Sequence, residues 1–346
     1  MKSVCILKKY LYIIGTALFF LAFALFYVIT WMPNANIPKG EDKVVVLPSG
    51  VDYERVFDIL KKDTILRYPF TFDFLARRKH YPKFIHPGRY LFRGGMSNNE
   101  MVNMLRGGFQ QPVRVTIHNI RTREQLAGVV AHKLELDSAD LVRLLSDSAF
   151  VAALGMDTSA VISLFIPDTY EFYWNISAER FVKKMYREYK KFWNKKRLEK
   201  AEQLGLTPVE VITLASIVQE EALHKDEMSR IAGVYLNRLK KGIHLQADPT
   251  IKYALRDFDR RRIITKDLQY DSPYNTYKYA GLPPGPIRIP SKEAIDAVLH
   301  AEKHPYLYFC AKDDFSGYHY FSRTLSEHNR YAWKYRRALN KKRIYR

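Results

Sequence analysis

Thr207-Pro-Val-Glu-Val-Ile-Thr-Leu-Ala-Ser-Ile-Val-Gln-Glu-Glu221 carries both a helix-start signal and candidate chemistry. Thr207 stands as an N-cap, Pro208 takes the first helical position, where a missing N–H costs nothing, and Glu210 completes a capping box. A helix must follow. Three polar side chains close it, and helical spacing separates them: Glu221 lies above Val218, Ile217 and Leu214 on the apolar stripe, whereas Glu220 lies above Ile217, Ser216 and Thr213 and leans to the polar side. A carboxylate on a stripe that must be buried is poorly solvated, so its ionised form is disfavoured and its pKa rises. Such a group keeps a proton near neutral pH, as a general acid must. The competing reading pairs a helix-end carboxylate with Lys225 or Arg230, because ion pairs perturb carboxylates too. Spacing alone leaves both open.

The chain around this helix has 346 residues and 47 % hydrophobic content, enough to bury one or more cores, which excludes a disordered tail or a disulfide miniprotein. Its two cysteines, Cys5 and Cys310, stand at opposite ends, so neither a disulfide framework nor a thiolate zinc site is expected. The formal charge of +20 implies attraction to something anionic. From Tyr10 to Met32 runs an uncharged stretch of 23 residues, about 34 Å as a helix against a hydrocarbon core of about 30 Å. It can span a bilayer. The stretch is longer than the apolar region of a cleaved signal peptide and ends in Trp31-Met32-Pro33-Asn34 without a small-residue cleavage site, so it reads as an uncleaved anchor. Lys2, Lys8 and Lys9 precede it closely and the first basic residue after it is Lys39, which predicts residues 1–9 in the cytoplasm and the rest outside. That placement argues against nucleic acid as a partner. The basic clusters Arg77-Arg78-Lys79 and Arg260-Arg261-Arg262 form no nucleic-acid-binding motif either.

Pro33 to Lys43 reads as a linker leaving the membrane. Beyond it Val44 to Leu47 is a strand, Pro48-Ser49-Gly50 a turn, and Val56, Phe57, Ile59 and Leu60 the apolar face of a helix. A second unit follows. His86-Pro87-Gly88 introduces a strand from Arg89 to Phe92, and Ser97-Asn98-Asn99-Glu100 is a capping box for a helix that Gly107 ends. These units predict a compact module over 44–110. A connecting region, 111–203, starts with the alternating strand Val113, Val115 and Ile117 and a helix capped at Thr122, and continues mainly helical into the basic stretch Phe181 to Gln203. That stretch reads either as a solvated helix face or as an amphipathic helix on a membrane surface. A distal subdomain over 204–338 and a basic tail, 339–346, complete the chain. The expected fold class is α+β, with an N-terminal transmembrane helix, a strand-helix subdomain and a mixed α/β subdomain bearing the chemistry.

The distal subdomain is dense in punctuated polar and aromatic segments: Leu245-Gln-Ala-Asp-Pro-Thr250, Tyr274-Asn-Thr-Tyr277, Gly281-Leu-Pro-Pro-Gly-Pro-Ile287, Tyr306-Leu-Tyr-Phe309 and Gly317-Tyr-His-Tyr-Phe321. Rigid loops bearing amides, phenols and imidazoles suit a sugar-binding cleft. No metal-ligand spacing, phosphate-binding glycine loop or dinucleotide fingerprint is present, so no cofactor and no metal is expected.

Taken in order, Leu214 to Glu221, Val234-Tyr-Leu-Asn-Arg-Leu239, Leu245 to Thr250, Tyr274 to Tyr277, Gly281 to Ile287 and Glu327-His328-Asn329 resemble the endolytic murein transglycosylase, or YceG-like, family. The resemblance is densest over 207–330; before that only the pattern of elements and Phe165-Ile-Pro-Asp-Thr-Tyr170 agree. It implies a bitopic inner-membrane protein with a LysM-like subdomain, here 44–110, that binds peptidoglycan glycan strands and works beside peptidoglycan synthases. It implies cleavage of the β-1,4 bond between N-acetylmuramic acid and N-acetylglucosamine within a strand, leaving a 1,6-anhydromuramoyl end. The family segment Ala-Ser-Ile-(Ile/Val)-Glu-Lys-Glu places its catalytic glutamate on Glu221, with Gln219 and Glu220 departing from the pattern. A glutamine cannot supply an essential proton, so the departure favours Glu221. Because the sugar's own 6-hydroxyl attacks, one glutamate serves as acid and then base, and the usual second carboxylate is not required. Asp248 is the nearest second carboxylate, with a structural Asp-Pro turn as its competing role. Gln246, Asn275, Tyr277 and His319 are the expected substrate contacts, His319 being equally readable as a satisfied core histidine. The rival readings are a non-enzymatic, membrane-anchored scaffold that binds peptidoglycan, and a muramidase that hydrolyses the same bond.

Overall fold

A computed structural model describes residues 2–260 and 262–341, with side chains from residue 7 onward. Arg261 of the triple-arginine cluster and 342–346 of the basic tail lie outside the described residues. The chain forms two compact units, one made of 1–114, 133–135 and 171–176, the other of 115–132, 136–170 and 177–346. The region expected to connect two subdomains therefore falls almost wholly within the second unit.

In the first unit, α1 (Lys2–Thr30) is apolar and long enough to cross a membrane, with Phe19, Phe20 and Phe23 exposed along it. Then come β1 (Asp42–Leu47), α2 (Tyr53–Lys62), α3 (Pro69–Arg78), β2 (Gly88–Arg93) and α4 (Asn98–Arg106). β1 and β2 pair antiparallel with Val44 opposite Leu91, and their inward residues Val45, Leu47, Tyr90 and Phe92 close over Val56, Leu60, Phe72, Met101 and Leu105. The helix α3 adds an element that the strand-helix pattern did not predict. Asp52 and Ser97 cap α2 and α4, the latter as the expected capping box with Glu100.

Pro33 to Lys43 is not a free linker. Asn34 N and Ala35 N both donate to Met96 O at 2.9 Å, Asn36 N donates to Ile65 O at 2.7 Å, and Ala35 and Ile37 are buried in the core. Prolines and asparagines that suggest a flexible exit instead fit a segment held by backbone bonds at Asn34, Ala35 and Asn36.

Next in the chain are β3 (Val113–Ile117), which pairs with β4 (Asp168–Phe172), and, within the second unit, α5 (Arg123–Ala131), α6 (Ser138–Ser146) and α7 (Ser148–Ala152). The second unit continues with α8 (Ala178–Phe192), α9 (Lys195–Leu204), α10 (Pro208–Glu221), α11 (Met228–Lys240), α12 (Asp248–Ala254), α13 (Lys292–Leu299) and α14 (Leu325–Lys341). Between α13 and α14 stand β5 (Tyr308–Ala311) and β6 (His319–Ser322), an antiparallel pair with Ala311 opposite His319. The aromatic runs expected as loops thus form a hairpin. The apolar face of α8, Phe181, Val182, Met185 and Tyr189, is buried within the protein, so nothing is left on it to enter a membrane surface.

Helix α10 is the centre of this unit, packed against α11, α12 and α13. Thr207 and Glu210 form the expected capping box, but the helix is not amphipathic: every residue from Val211 to Val218 is buried, including Thr213 and Ser216. A helix buried all round must satisfy its own polar side chains. Ser216 does so by donating to Thr213 O at 2.7 Å and accepting from Ile287 N at 3.0 Å, which ties the proline-glycine loop to the helix. Gly285 lets that loop approach, since a Cβ there would lie 2.2 Å from Ser159 O. Replacing Ser216 with Ala leaves the buried Ile287 N–H without its acceptor, a cost of about 1–3 kcal/mol. The expected result is a lower urea midpoint for the second unit with helix content unchanged by circular dichroism.

Candidate active site

The end of α10 distributes its three polar side chains to different tasks. Gln219 Oε1 accepts from Ser291 N at 2.6 Å and so fixes the residue that caps α13. Glu220 bridges Arg121, at 3.0 Å, and Arg288. Its carboxylate, on the side that helical spacing reads as polar, meets two cations. Glu221 alone turns into a pocket of about 440 Å³, whose walls include Tyr235, Arg238, Gln246, Asp248, Tyr277, Phe309, His319 and His328. Lys225 and Arg230, the cations considered as its partners, pair instead with Glu293 and Glu302.

Glu221 has a partly accessible edge but is otherwise enclosed by protein, and this burial is the main reason its pKa is pushed up to about 7 from the ordinary 4.5. The negative charge of Asp248 pushes the same way. Tyr235, fully buried on α11, donates its hydroxyl to Glu221 Oε1 at 3.1 Å and moderates the rise. Burial and that carboxylate together hold the Tyr235 phenol well above its usual range, so it remains a donor. Glu221 therefore keeps its proton much closer to neutral pH than an ordinary carboxyl does.

The opposite wall is built around Arg238, one turn beyond Tyr235 on α11. Among the described residues its guanidinium pairs with no carboxylate; it donates to Leu307 O at 2.8 Å, Leu245 O at 2.6 Å and Gln246 Oε1 at 3.3 Å. These bonds pin β5 and the loop before α12 to one another. Gln246 is held with φ at +51°, a left-handed backbone unusual for a non-glycine residue and typical of sites over-determined by their surroundings. Asp248 opens α12 rather than an isolated turn and accepts the Tyr277 hydroxyl at 2.6 Å. His319 reaches the pocket from β6, with its Nδ1 2.9 Å from Glu227, a buried carboxylate that also accepts the His319 N–H. The histidine is both satisfied by a partner and exposed to the pocket.

Of the residues expected from sequence, Glu221, Gln246, Asp248, Tyr277 and His319 thus line one pocket. Asn275 does not. It is fully buried, giving its amide hydrogens to Leu268 O and Tyr270 O and taking Tyr277 N and Lys278 N on its oxygen, which uses its bonding capacity to shape the loop that presents Tyr277. Sequence reasoning missed Tyr235, Arg238, Glu227 and His328. The first two are three apart on α11, a spacing that puts them on one helix face, and His328 lies in a quoted segment; Glu227 offered no signal. His328 stands at the pocket with a buried Nδ1 lacking a partner among the described residues, and burial together with Arg238 lowers its pKa. No group of three or more metal-ligating side chains occurs among the described residues.

The pocket thus brings a carboxyl of raised pKa together with phenol, amide and imidazole hydrogen-bonding groups. Residues 45–334 match the YceG-like family, and the chain belongs to it. It is 30 % identical over 312 residues to a Bacillus subtilis (strain 168) protein named endolytic murein transglycosylase, covering 86 % of this chain and 85 % of that one. A Streptococcus pneumoniae serotype 2 (strain D39 / NCTC 7466) protein of the same name is 27 % identical over 316 residues, 83 % of this chain but 57 % of the longer relative. The crystal structure of a yceG-like protein from Listeria monocytogenes superposes with a TM-score of 0.57 at 30 % identity, covering 84 % of this chain and 98 % of that one.

The electrostatics give signed outcomes for the titration of Glu221. Asp248→Asn removes a negative neighbour and lowers the Glu221 pKa, whereas Tyr235→Phe removes a donor to the carboxylate and raises it. Carbon-13 NMR of labelled glutamate carboxyls, assigned with Glu221→Gln, reads both shifts.

Proposed function

We propose that this protein is a membrane-anchored endolytic lytic transglycosylase that cleaves the β-1,4 bond between N-acetylmuramic acid and N-acetylglucosamine within peptidoglycan strands. The observation that carries the reading is a carboxyl raised to about 7 in the wall of a polar, aromatic pocket. The names of the Bacillus and Streptococcus relatives agree with it.

Glu221 gives its proton to the bridging oxygen as the bond from muramic C1 to that oxygen breaks. The C6 hydroxyl of the same sugar attacks C1 and yields its proton to the Glu221 carboxylate, which restores the acid and closes the 1,6-anhydro ring. No water is consumed. With Tyr235 on Oε1, Oε2 is the atom left for both transfers. Gln246, Tyr277 and His319 contact the sugars, and Asn275 acts through the loop that carries Tyr277. Asp248 holds the Glu221 pKa up and needs no direct role in the transfer. Its presence on the same pocket is nevertheless what favours the second reading, a muramidase in which a second carboxylate directs water to the same bond.

Helix α1 serves as the anchor, with residues 1–9 in the cytoplasm and the chain beyond the span on the outer side. The segment 44–110, from β1 through α4, is the LysM-like subdomain that holds glycan. So placed, the enzyme trims or ends strands near the membrane, beside the synthases that extend them.

Digestion of purified glycan strands with the full chain tests this. The expected product ends in 1,6-anhydromuramic acid, kcat/KM falls as pH rises through about 7 because the acid form is lost, and Glu221→Gln lowers turnover at least about a hundredfold. Ends heavier by one water would identify a muramidase, and no product from the unaltered chain would favour the non-enzymatic scaffold.

A further inference from the structure

The junction between α1 and the first unit is a built joint. Asn98 donates to Ile29 O in the last turn of α1 at 2.9 Å and to Thr71 Oγ1 at 3.0 Å. Asn34, itself buried, donates to Asn98 Oδ1 at 2.5 Å and to Tyr68 O at 3.1 Å and accepts from Tyr68 N at 2.6 Å. Two interlocked amides therefore fasten the end of the apolar helix to the start of α3, and α3 cannot swing away without stranding buried polar groups.

Beside this joint lies a groove of about 530 Å³ lined by Val28, Met32, Pro33, Tyr68, Pro69 and Phe70, with Arg67 at it as well. Val28 belongs to the apolar span Leu7–Thr30, so one wall of the groove is continuous with the surface that faces acyl chains. Phe70 is 80 % exposed, and Phe74, one turn along α3, is 51 % exposed. Tyr68 and Trp31 are exposed too. Leaving a phenylalanine side chain in water rather than buried forgoes about 1.5–3 kcal/mol, and a clustered apolar patch marks an interaction surface. The guanidinium of Arg67 has no carboxylate partner among the described residues. Aromatic rings and a cation at the end of a membrane span match the headgroup layer of a bilayer.

We propose that this groove seats an acyl chain of an outer-leaflet phospholipid, with Arg67 on the phosphate and Phe70 and Phe74 immersed at the boundary between headgroups and hydrocarbon. The first unit then lies partly in the membrane at a fixed attitude. The proposal rests on reading α1 as an anchor and is independent of the reaction assigned to Glu221.

The test uses the full chain with Cys5 and Cys310 replaced by Ser, reconstituted at one copy per nanodisc of phosphatidylcholine and phosphatidylglycerol, so that no protein partner is available. Nitroxide labels are attached at Phe70→Cys, Asp58→Cys or Phe19→Cys, and their accessibility to oxygen and to an aqueous nickel chelate is measured by power saturation. Asp58 is exposed on α2, which packs on β1, and serves as the aqueous reference. The label at Phe70 is expected to favour oxygen over nickel at least severalfold more than the label at Asp58, and Arg67→Glu is expected to shift it toward water. Equal nickel accessibility at Phe70 and Asp58 overturns the proposal and leaves the groove to a protein partner. An aqueous reading at Phe19 refutes the anchor, and the groove's role with it.

Discussion

The constraint on which the second unit depends is that α10 is buried on every side yet ends in polar residues. Ser216, Gln219 and Glu220 are each consumed by structure: the first holds Ile287, the second the cap of α13, the third two arginines. Their saturation fixes the rotation of the helix, and that rotation aims Glu221 at the pocket. A carboxyl left over in this way lacks full solvent and has no ion-pair partner among the described residues, although the charge of Lys252 partly opposes the rise. Its raised pKa is thus a by-product of how the helix is packed.

The supporting shell has the same logic. Arg238 spends its donors on backbone carbonyls and Gln246, Asn275 spends its amide inside one loop, and Glu227 spends its carboxylate on His319. These buried polar groups answer one another, which restricts the pocket walls, while the buried His328 Nδ1 has no partner among the described residues. The groups lining the cavity include the acid Glu221, the phenols of Tyr235 and Tyr277, the amide of Gln246 and the imidazoles of His319 and His328, beside the charged Arg238 and Asp248. Most of them offer directional hydrogen bonds.

What the sequence made legible was local. Capping at Ser97, Thr122 and Thr207 is written within four residues, and α4, α5 and α10 start where it says. Helix α3 escaped because Tyr68 precedes it and supplies no side-chain cap. The 33–43 segment misled because prolines and asparagines look alike in a flexible exit and in a tethered one; what tethers Asn34 is Asn98, 64 residues away. At the site, Glu221 was readable from its place on the helix, and Tyr235 and Arg238 could have been read from theirs. Asn275 was misplaced because an amide in a rigid loop serves ligand and backbone equally well until burial is known. The partners of Glu220 were not legible for a similar reason, since its arginines come from positions 121 and 288 and no local pattern points to them.

The central claim is that the carboxyl at the end of α10 retains its proton at near-neutral pH. Infrared difference spectroscopy of the unaltered chain against Glu221→Gln isolates that one group. The account predicts a protonated carboxyl band at about pH 6 that fades as the pH passes about 7. A band already absent at about pH 6, with only ionised carboxylate found, would contradict it.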